Sequence, residues 1–244
     1  MLILGVIAGA ALGGVLWAIE HFTSFYLVLL FPIVAGAILG GVLAFIVRSS
    51  KVRNPLIAGL VGIVAAVVMY GVYHVASYYV SFRGQVREFI LEDSNETPSD
   101  EELDAIINAV LESEVGDTGF MGYLKLTAEE GISITRATAS SSSSGLELKD
   151  ELVWGYWVIE FLLAAGFAAW IAAKEARQPF DEEDNAWYGP PQFFAIAPAK
   201  ARKDILDALK NGDYQRAGTI LTREDIKYPR LEVYMRQSAT GGVG

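Results

Sequence analysis

Long apolar runs separated by polar segments dominate the pattern of this chain. Four runs of 18 to 25 residues, at positions 2–19, 25–47, 56–80 and 152–173, carry almost no charge. A helix needs about 20 apolar residues to cross roughly 30 Å of hydrocarbon. Because a chain of 244 residues has too little polar surface to bury four such runs, the pattern predicts four transmembrane helices. The first run lacks the basic start and the small-residue cleavage site of a signal peptide, so we expect it to be a span.

The polar segment 81–151 predicts a small α+β domain. Ser99 and Glu102 match a capping box, and an apolar stripe at helical spacing follows over Leu103–Leu111. Alternating residues at Tyr123–Thr127 and Ile132–Arg136 predict a β-hairpin. A run of serines at 140–144 indicates a flexible linker, and Asn95 begins a match to a glycosylation sequon, a pattern that often arises by chance.

The C-terminal segment 174–244 predicts a second small α+β domain. Helical periodicity covers Ala199–Lys210, and a second short helix is expected at Tyr214–Leu221. Leu231–Arg236 alternates like a strand and could pair with Gln192–Ile196. The predicted fold class is therefore an all-α membrane bundle with two small α+β additions.

The predicted organisation has four parts. Residues 1–80 hold transmembrane helices 1 to 3, 81–151 form an extracytoplasmic insertion, 152–173 form helix 4, and 174–244 form a cytoplasmic tail domain.

Basic residues orient the predicted bundle. The loop after the second span contains Arg48, Lys51 and Arg53, whereas the loop after the first span has no lysine or arginine. Loops rich in these residues stay on the cytoplasmic side. Both termini are therefore predicted to be cytoplasmic. The net charge of −10 then lies almost wholly on the outer segment, which has 16 acids and 5 bases. Such acidity serves solubility or offers a surface to cations or a basic partner.

Small residues recur at helical spacing in the first two spans. An eleven-residue pattern that begins at Val6 repeats at Ile33. Because close backbone approach drives helix association in lipid, we expect the first two spans to pack on each other through these glycines. The predicted helix-packing residues are Gly5, Gly9, Gly13, Gly36 and Gly40.

Two ionisable residues lie inside the predicted spans. His74 and Glu160 are at similar depth, on helices 3 and 4. Because such residues are costly in lipid and usually find a partner, we expect them to form an intramembrane polar pair. The pair could be a structural hydrogen bond or part of a proton or cation path. A metal site that adds Glu20 and His21 is a third reading, which the spacing does not demand.

No catalytic signature accompanies these features. The chain has no cysteine and only two histidines, and it lacks a phosphate-binding loop, a zinc-protease motif and a nucleophile elbow. The tail balances 11 bases with 11 acids, unlike a nucleic-acid-binding surface. We therefore expect no enzyme activity, catalytic residue, cofactor, metal or nucleic-acid partner.

Three motifs carry a loose resemblance to other proteins. These are Ser50-Lys-Val-Arg-Asn-Pro-Leu56, Gly119-Phe-Met-Gly-Tyr-Leu-Lys-Leu126, and Ala173–Phe180 with the acidic residues and Trp187-Tyr188 after it. Together they resemble a group of uncharacterised bacterial polytopic membrane proteins. In relatives a Cys-x-x-Cys pair can stand at the positions of Asp181 and Asp184. The resemblance implies a bacterial inner-membrane protein and no particular activity.

The sequence thus favours a non-enzymatic function. We expect a membrane scaffold or accessory subunit that binds other proteins through its two soluble segments. A homo-oligomer is a further expectation for its partners. The alternative is a small transporter or channel subunit that uses His74 and Glu160. Four spans with one ionisable pair make a poor pore unless the chain oligomerises.

Overall fold

The computed structural model describes residues 1–23, 30–94, 97–134, 146–222 and 226–237. The chain divides into two compact units, Met1–Arg177 and Gln178–Gly244. The serine run at 140–144 and Asn95 lie outside the described residues. In chain order the first unit contains α1 (Leu2–Thr23), α2 (Leu30–Ser49), α3 (Pro55–Ala76), α4 (Arg83–Ser94), α5 (Asp100–Val115), α6 (Gly119–Glu130), β1 (Ile132–Ile134), β2 (Leu146–Leu148) and α7 (Glu151–Ala176).

In the described part of the first unit, four helices are long and apolar enough to cross a membrane, as the sequence predicts; residues 25–29 of the second predicted span lie outside the described residues. The four helices begin at Leu2, Leu30, Pro55 and Glu151. The start of α3 is well defined, because the Asn54 side chain accepts hydrogen bonds from the amides of residues 56 and 57 and a proline occupies the first turn.

The third span extends well beyond the predicted end at position 80. A π-helical segment, Ser77–Phe82, joins α3 to α4, so Pro55–Asp93 forms one helix of 39 residues. At about 1.5 Å per residue such a helix is nearly twice as long as the hydrocarbon layer is thick. The polar half of this helix therefore projects from the end of the bundle and carries the insertion.

The spans are arranged as two parallel pairs. Gly5, Gly9 and Gly13 of α1 face Val61, Ala65 and Met69 of α3 in the same order along both helices. Gly36 and Gly40 of α2 face Ala164 and Ala168 of α7, also in the same order. The α3 and α7 helices are antiparallel, because Gly59 lies near Ala173 while His74 lies near Trp157. Contact between α1 and α2 is slight by comparison.

The predicted glycines do mark close helix contacts, but the predicted partner was wrong. A Cβ on Gly9 would lie 2.3 Å from the carbonyl oxygen of Ala65, and one on Gly36 would lie 2.5 Å from that of Ala164. These contacts join α1 to α3 and α2 to α7, not α1 to α2. The small residue on each partner explains the choice, because alanine allows the backbones to approach as closely as glycine requires.

The insertion consists mainly of packed helices. The capping box is confirmed at the start of α5, where the Ser99 side chain accepts from the Glu102 amide and the Glu102 carboxylate accepts from the Ser99 amide. The buried residues of α5 are Leu103, Ile107 and Leu111, and they pack against the partly buried Phe82, Val86, Ile90 and Leu126.

The predicted hairpin in this insertion was wrong in its first strand. Tyr123–Thr127 belongs to helix α6, because Tyr123 and Leu126 fall on one helical face that packs against Phe82 and the α5 core. Tertiary packing thus outweighs an alternation of only five residues. The second predicted strand begins as β1, which pairs antiparallel with β2, Ile132 opposite Leu148. Its last predicted residues lie outside the described part of the chain.

The second unit contains β3 (Phe180–Asp181), β4 (Ala186–Trp187), β5 (Gln192–Pro198), α8 (Arg202–Lys210), α9 (Tyr214–Ile220) and β6 (Arg230–Met235). The predicted helices and the predicted pairing of β5 with β6 are confirmed, and the two strands run antiparallel. Ala195, Ile196, Ala197, Ile205, Ala208 and Ala217 form its buried apolar core. A short β3–β4 hairpin precedes the sheet and brings Phe180 against Trp187, 5.1 Å between ring centroids.

Candidate functional site

Glu160 is the starting point for a candidate site in the first unit. Within the described ranges it is the one charged side chain that is buried, with 3% of its surface exposed. Tyr156, one helical turn earlier on α7 and itself buried, donates a hydrogen bond to its carboxylate. A carboxylate in such a place needs polar partners, because its desolvation is costly. Tyr156 provides one of them within the same helix.

A small cavity adjoins Glu160 between α1, α2, α3 and α7. Leu16 of α1, Phe31 and Pro32 of α2, and Met69, Tyr70 and Tyr73 of α3 line it together with Glu160. Its interior has room for about one or two water molecules. Pro32 faces this cavity as a buried residue and has no backbone N–H to offer. The cavity can therefore hydrate the carboxylate but is too small for an organic substrate.

A second polar cluster joins the C-terminal ends of α1 and α3. Tyr73 donates a hydrogen bond to the Glu20 carboxylate. The indole Nε1 of Trp17 donates to Ser81 Oγ at 2.9 Å, and His21 Nδ1 lies 2.9 Å from the same oxygen. Ser81 belongs to the π-helical segment, so this segment presents a hydroxyl to two side chains of α1. These contacts fix α1 against the long third helix.

Tyr73 connects the two clusters electrostatically. Its hydroxyl is bonded to Glu20, and the charges of both Glu20 and Glu160 act on it. Tyr70 is likewise within electrostatic range of Glu160 and Tyr156. Two carboxylates and several tyrosine hydroxyls therefore lie at one end of the bundle, with Tyr73 between the carboxylates.

The structure gives His74 and Glu160 different partners. The His74 ring contacts aromatic rings on both sides, at centroid distances of 4.9 Å to Tyr73 and 5.5 Å to Trp157. In the part of the chain that the structure describes, no hydrogen bond or ion pair joins His74 to Glu160. Trp157 and Phe161 occupy the positions of α7 that contact His74 and Tyr70. Glu160 is rotated about 100° from Phe161 and faces the cavity instead.

Tyr123 of α6 covers the bundle at this same end. Its ring lies 5.4 Å from that of Tyr78 and 5.1 Å from that of Phe82. Burial raises the pKa of the Tyr123 phenol, and the Glu20 and Glu130 charges raise it further. The insertion is thus packed onto the end of the bundle that contains the polar clusters.

The four residues considered for a metal site are divided between the two clusters. Glu20 bonds Tyr73, His21 contacts Ser81, His74 is surrounded by rings, and Glu160 bonds Tyr156. Across the described ranges, no three histidine, aspartate or glutamate residues gather as metal ligands.

Sequence reasoning missed four members of these clusters: Trp17, Tyr73, Ser81 and Tyr156. The spacing of Tyr156 and Glu160, four residues apart on a helix, was a usable signal for one of them. Tyr156 is next to Trp157 and close to Trp154 in the sequence, and such an aromatic group is also typical of a membrane interface, so the spacing alone does not single it out. The contacts of Trp17 and Tyr73 join residues more than 50 positions apart, and only the fold reveals them.

Comparisons with protein-family models, with curated proteins and with solved structures found no match to this chain. The resemblance to bacterial polytopic membrane proteins therefore stays a prediction.

Proposed function

We propose that this chain is an integral protein of the bacterial inner membrane, with both termini in the cytoplasm, and that it is a scaffold or accessory subunit without enzyme activity. Lipid surrounds its four spans, and its acidic insertion binds another protein outside the cytoplasm. The insertion is well suited to this role because it is held on a rigid extension of the third span and not on a flexible tether.

The observation that carries the proposal is the exposure of Phe89 on that extension. Phe89 is 71% exposed and lies on α4. It is about 15 Å along the helix from Tyr79, which is close to the predicted end of the third span at position 80. Ile106 and Val110 of α5 are also exposed and lie one turn apart. Single exposed apolar residues are ordinary, but large ones on a rigid acidic support favour a protein contact.

The arrangement of the spans also supports a structural role. At Gly9 and Gly13 the α1 backbone approaches the α3 backbone closely, and Gly62 of α3 does the same against Ala169 of α7. These contacts leave little space between the helices along the part of the bundle below the Glu160 cavity. A path for a solute through a single chain would have to open them.

Photo-crosslinking from Phe89 tests the scaffold proposal. A photoreactive phenylalanine analogue at Phe89 should give one discrete adduct with another protein in intact cells. The same analogue at Glu88, which is exposed on a neighbouring face of α4, is the matched control and should give little of that adduct. Equal adducts at both positions, or none at either, would contradict a specific contact through Phe89.

The burial of Glu160 favours the second candidate, a transporter or channel subunit that moves protons or small cations. A hydrated carboxylate between tyrosines can bind and release a proton. Chain reconstituted into vesicles with an internal pH dye separates the candidates. We expect no flux beyond that of empty vesicles; flux that Glu160→Gln abolishes would establish the second candidate and exclude a purely structural site.

A further inference from the structure

Helix α8 exposes a face that combines leucines with basic side chains. At 3.6 residues per turn, five of its nine residues fall within an arc of about 120°. All five are exposed: Leu209, Arg202, Leu206, Lys210 and Lys203, in order around the arc. Ile205 and Ala208 are buried in the core of the second unit on another side of the helix. The two leucines therefore face away from the core.

The acidic residues of α8 lie outside this arc. Asp207 and Asp204 follow the last basic residue around the helix, toward the buried side. The basic face thus has three positive charges beside two leucines that are each 45% exposed. Lysines and arginines next to exposed leucines are typical of helices that lie in the plane of a membrane surface.

We propose that the basic face of α8 docks on anionic lipid headgroups of the leaflet at which α7 ends. The leucines would enter the boundary between headgroups and acyl chains, and the bases would bind the phosphates. This rests on the membrane location proposed above, but not on the scaffold role. The second unit would then contact the membrane surface through α8, in addition to its covalent connection to α7.

Two observations favour lipid over a soluble partner. The second unit begins at Gln178, directly after the end of α7 at Ala176, so the tether holds it close to that leaflet. A short tether raises the effective concentration of the surface and makes even a weak contact substantial. The end of α7 is itself suited to the interface, because Lys174 lies 5.3 Å from the Trp170 ring centroid and Glu175 pairs with Arg48 at 2.9 Å.

The test uses the full chain, which has no native cysteine. Leu206→Cys carries an environment-sensitive fluorophore, and the chain is reconstituted into nanodiscs of phosphatidylcholine alone or with one third phosphatidylglycerol. We expect a blue shift and quenching by spin-labelled lipid in the anionic discs only, reversed by high salt. Asp204→Cys, exposed on the other side of α8, is the matched control and should stay solvent-like in both discs.

A charge variant gives a second readout. In the labelled Leu206→Cys chain, Lys210→Gln should lower the ratio of docked to undocked chain roughly five-fold, the effect of one basic charge near an anionic surface. Lys227→Gln removes the same charge from an exposed position outside α8 and should change the ratio little. An equal effect of the two variants would mean that the basic face has no special role and would overturn the proposal.

The remaining outcomes also decide the question. A chain that enters the discs but shows no response to anionic lipid at Leu206 overturns the docking while leaving the membrane location intact. A chain that fails to enter the discs contradicts the membrane location itself. A blue shift that is independent of lipid charge but rises with the number of chains per disc assigns the face to a second copy and overturns the lipid proposal.

Discussion

Tyr156 donates a hydrogen bond to Glu160 from one turn earlier on the same helix, in the interior of the bundle. Tyr70 lines the same cavity, and its hydroxyl makes no hydrogen bond within the described part of the chain. The two tyrosines therefore separate the contribution of a hydroxyl group as such from that of the bond to Glu160.

We predict that Tyr156→Phe destabilises the chain and that Tyr70→Phe does not. Loss of the Tyr156 hydroxyl removes one polar partner of a buried carboxylate, and the loss of such a hydrogen bond costs about 1–3 kcal/mol. The measurement is the unfolding free energy in detergent. Equal effects of the two substitutions would contradict the assigned hydrogen bond.

The glycine contacts predict that alanine is tolerated at some glycines and not at others. Gly9→Ala and Gly36→Ala place a methyl group against the backbone of a neighbouring helix, and such overpacking costs about 1–3 kcal/mol. Gly14 and Gly41 occupy matching positions of the eleven-residue repeat, and a Cβ there meets nothing within 4 Å.

Gly14→Ala and Gly41→Ala are therefore the matched controls and should leave thermal stability in detergent unchanged or slightly higher. A loss of similar size in all four variants would show that these glycines matter for helix flexibility and not for close contact.

The arrangement of the spans predicts a specific cross-link. A Cβ on Gly59 of α3 would lie 3.7 Å from that of Ala173 on α7, within the range of disulfides. The double variant Gly59→Cys with Ala173→Cys should therefore oxidise to an intramolecular disulfide. Gly9→Cys with Gly36→Cys, the contact expected from the repeat, should not. A disulfide in the Gly9–Gly36 double variant and none in the Gly59–Ala173 double variant would contradict this arrangement and favour packing of α1 on α2.

The sequence predicted correctly those features that depend only on residues close together along the chain. Apolar length identified the spans, and the spacing of Ser99 and Glu102 identified a helix start. It was insufficient where the answer depended on rotation about a helix axis or on the choice of neighbour. Gly9 and Gly36 were correctly identified as contact positions, but an apolar pattern does not specify which helix they meet.

The His74–Glu160 expectation shows the same limit. The rise of 1.5 Å per residue placed His74 and Glu160 at similar distances from the outer ends of their helices. Rotation separates them, because Trp157 takes the place beside His74 while Glu160 faces the cavity. The α6 helix was missed for a related reason, since the contacts of Tyr123 with Tyr78 and Phe82 are long-range.

The basic loop after the second span predicts the orientation of the soluble parts. Glu114 of α5 and Gln215 of α9 are exposed and lie on the two parts expected on opposite sides. A cysteine at Glu114 should react with an impermeant maleimide in intact cells, whereas one at Gln215 should react only after lysis. Labelling of position 215 alone would reverse the orientation, and labelling of both would contradict a sealed bundle of four spans.

The capping box predicts how acid affects the start of α5. The Ser99 amide and hydroxyl bond the carboxylate of Glu102 and lower its pKa below the usual 4.5. Because the pKa of Glu102 is lower in the folded chain than in the unfolded chain, the carboxylate stabilises the fold at pH values above its unfolded-state pKa. This stabilisation is lost as the pH falls through its folded-state pKa. Asp117, just after the other end of α5, has a lowered pKa as well. The main cause is the hydrogen bond that the Lys125 side chain donates to its carboxylate.

Protection of the first turns of α5 against hydrogen exchange should therefore decrease between about pH 5 and pH 3, after correction for intrinsic exchange rates. Glu102→Gln should remove most of this decrease, because the amide can still accept from Ser99 but does not titrate in this range. Glu101→Gln changes a neighbouring acid of the same turn that lies outside the capping box, and it should leave the decrease in place. An unchanged acid response in Glu102→Gln would show that other carboxylates control the start of the helix.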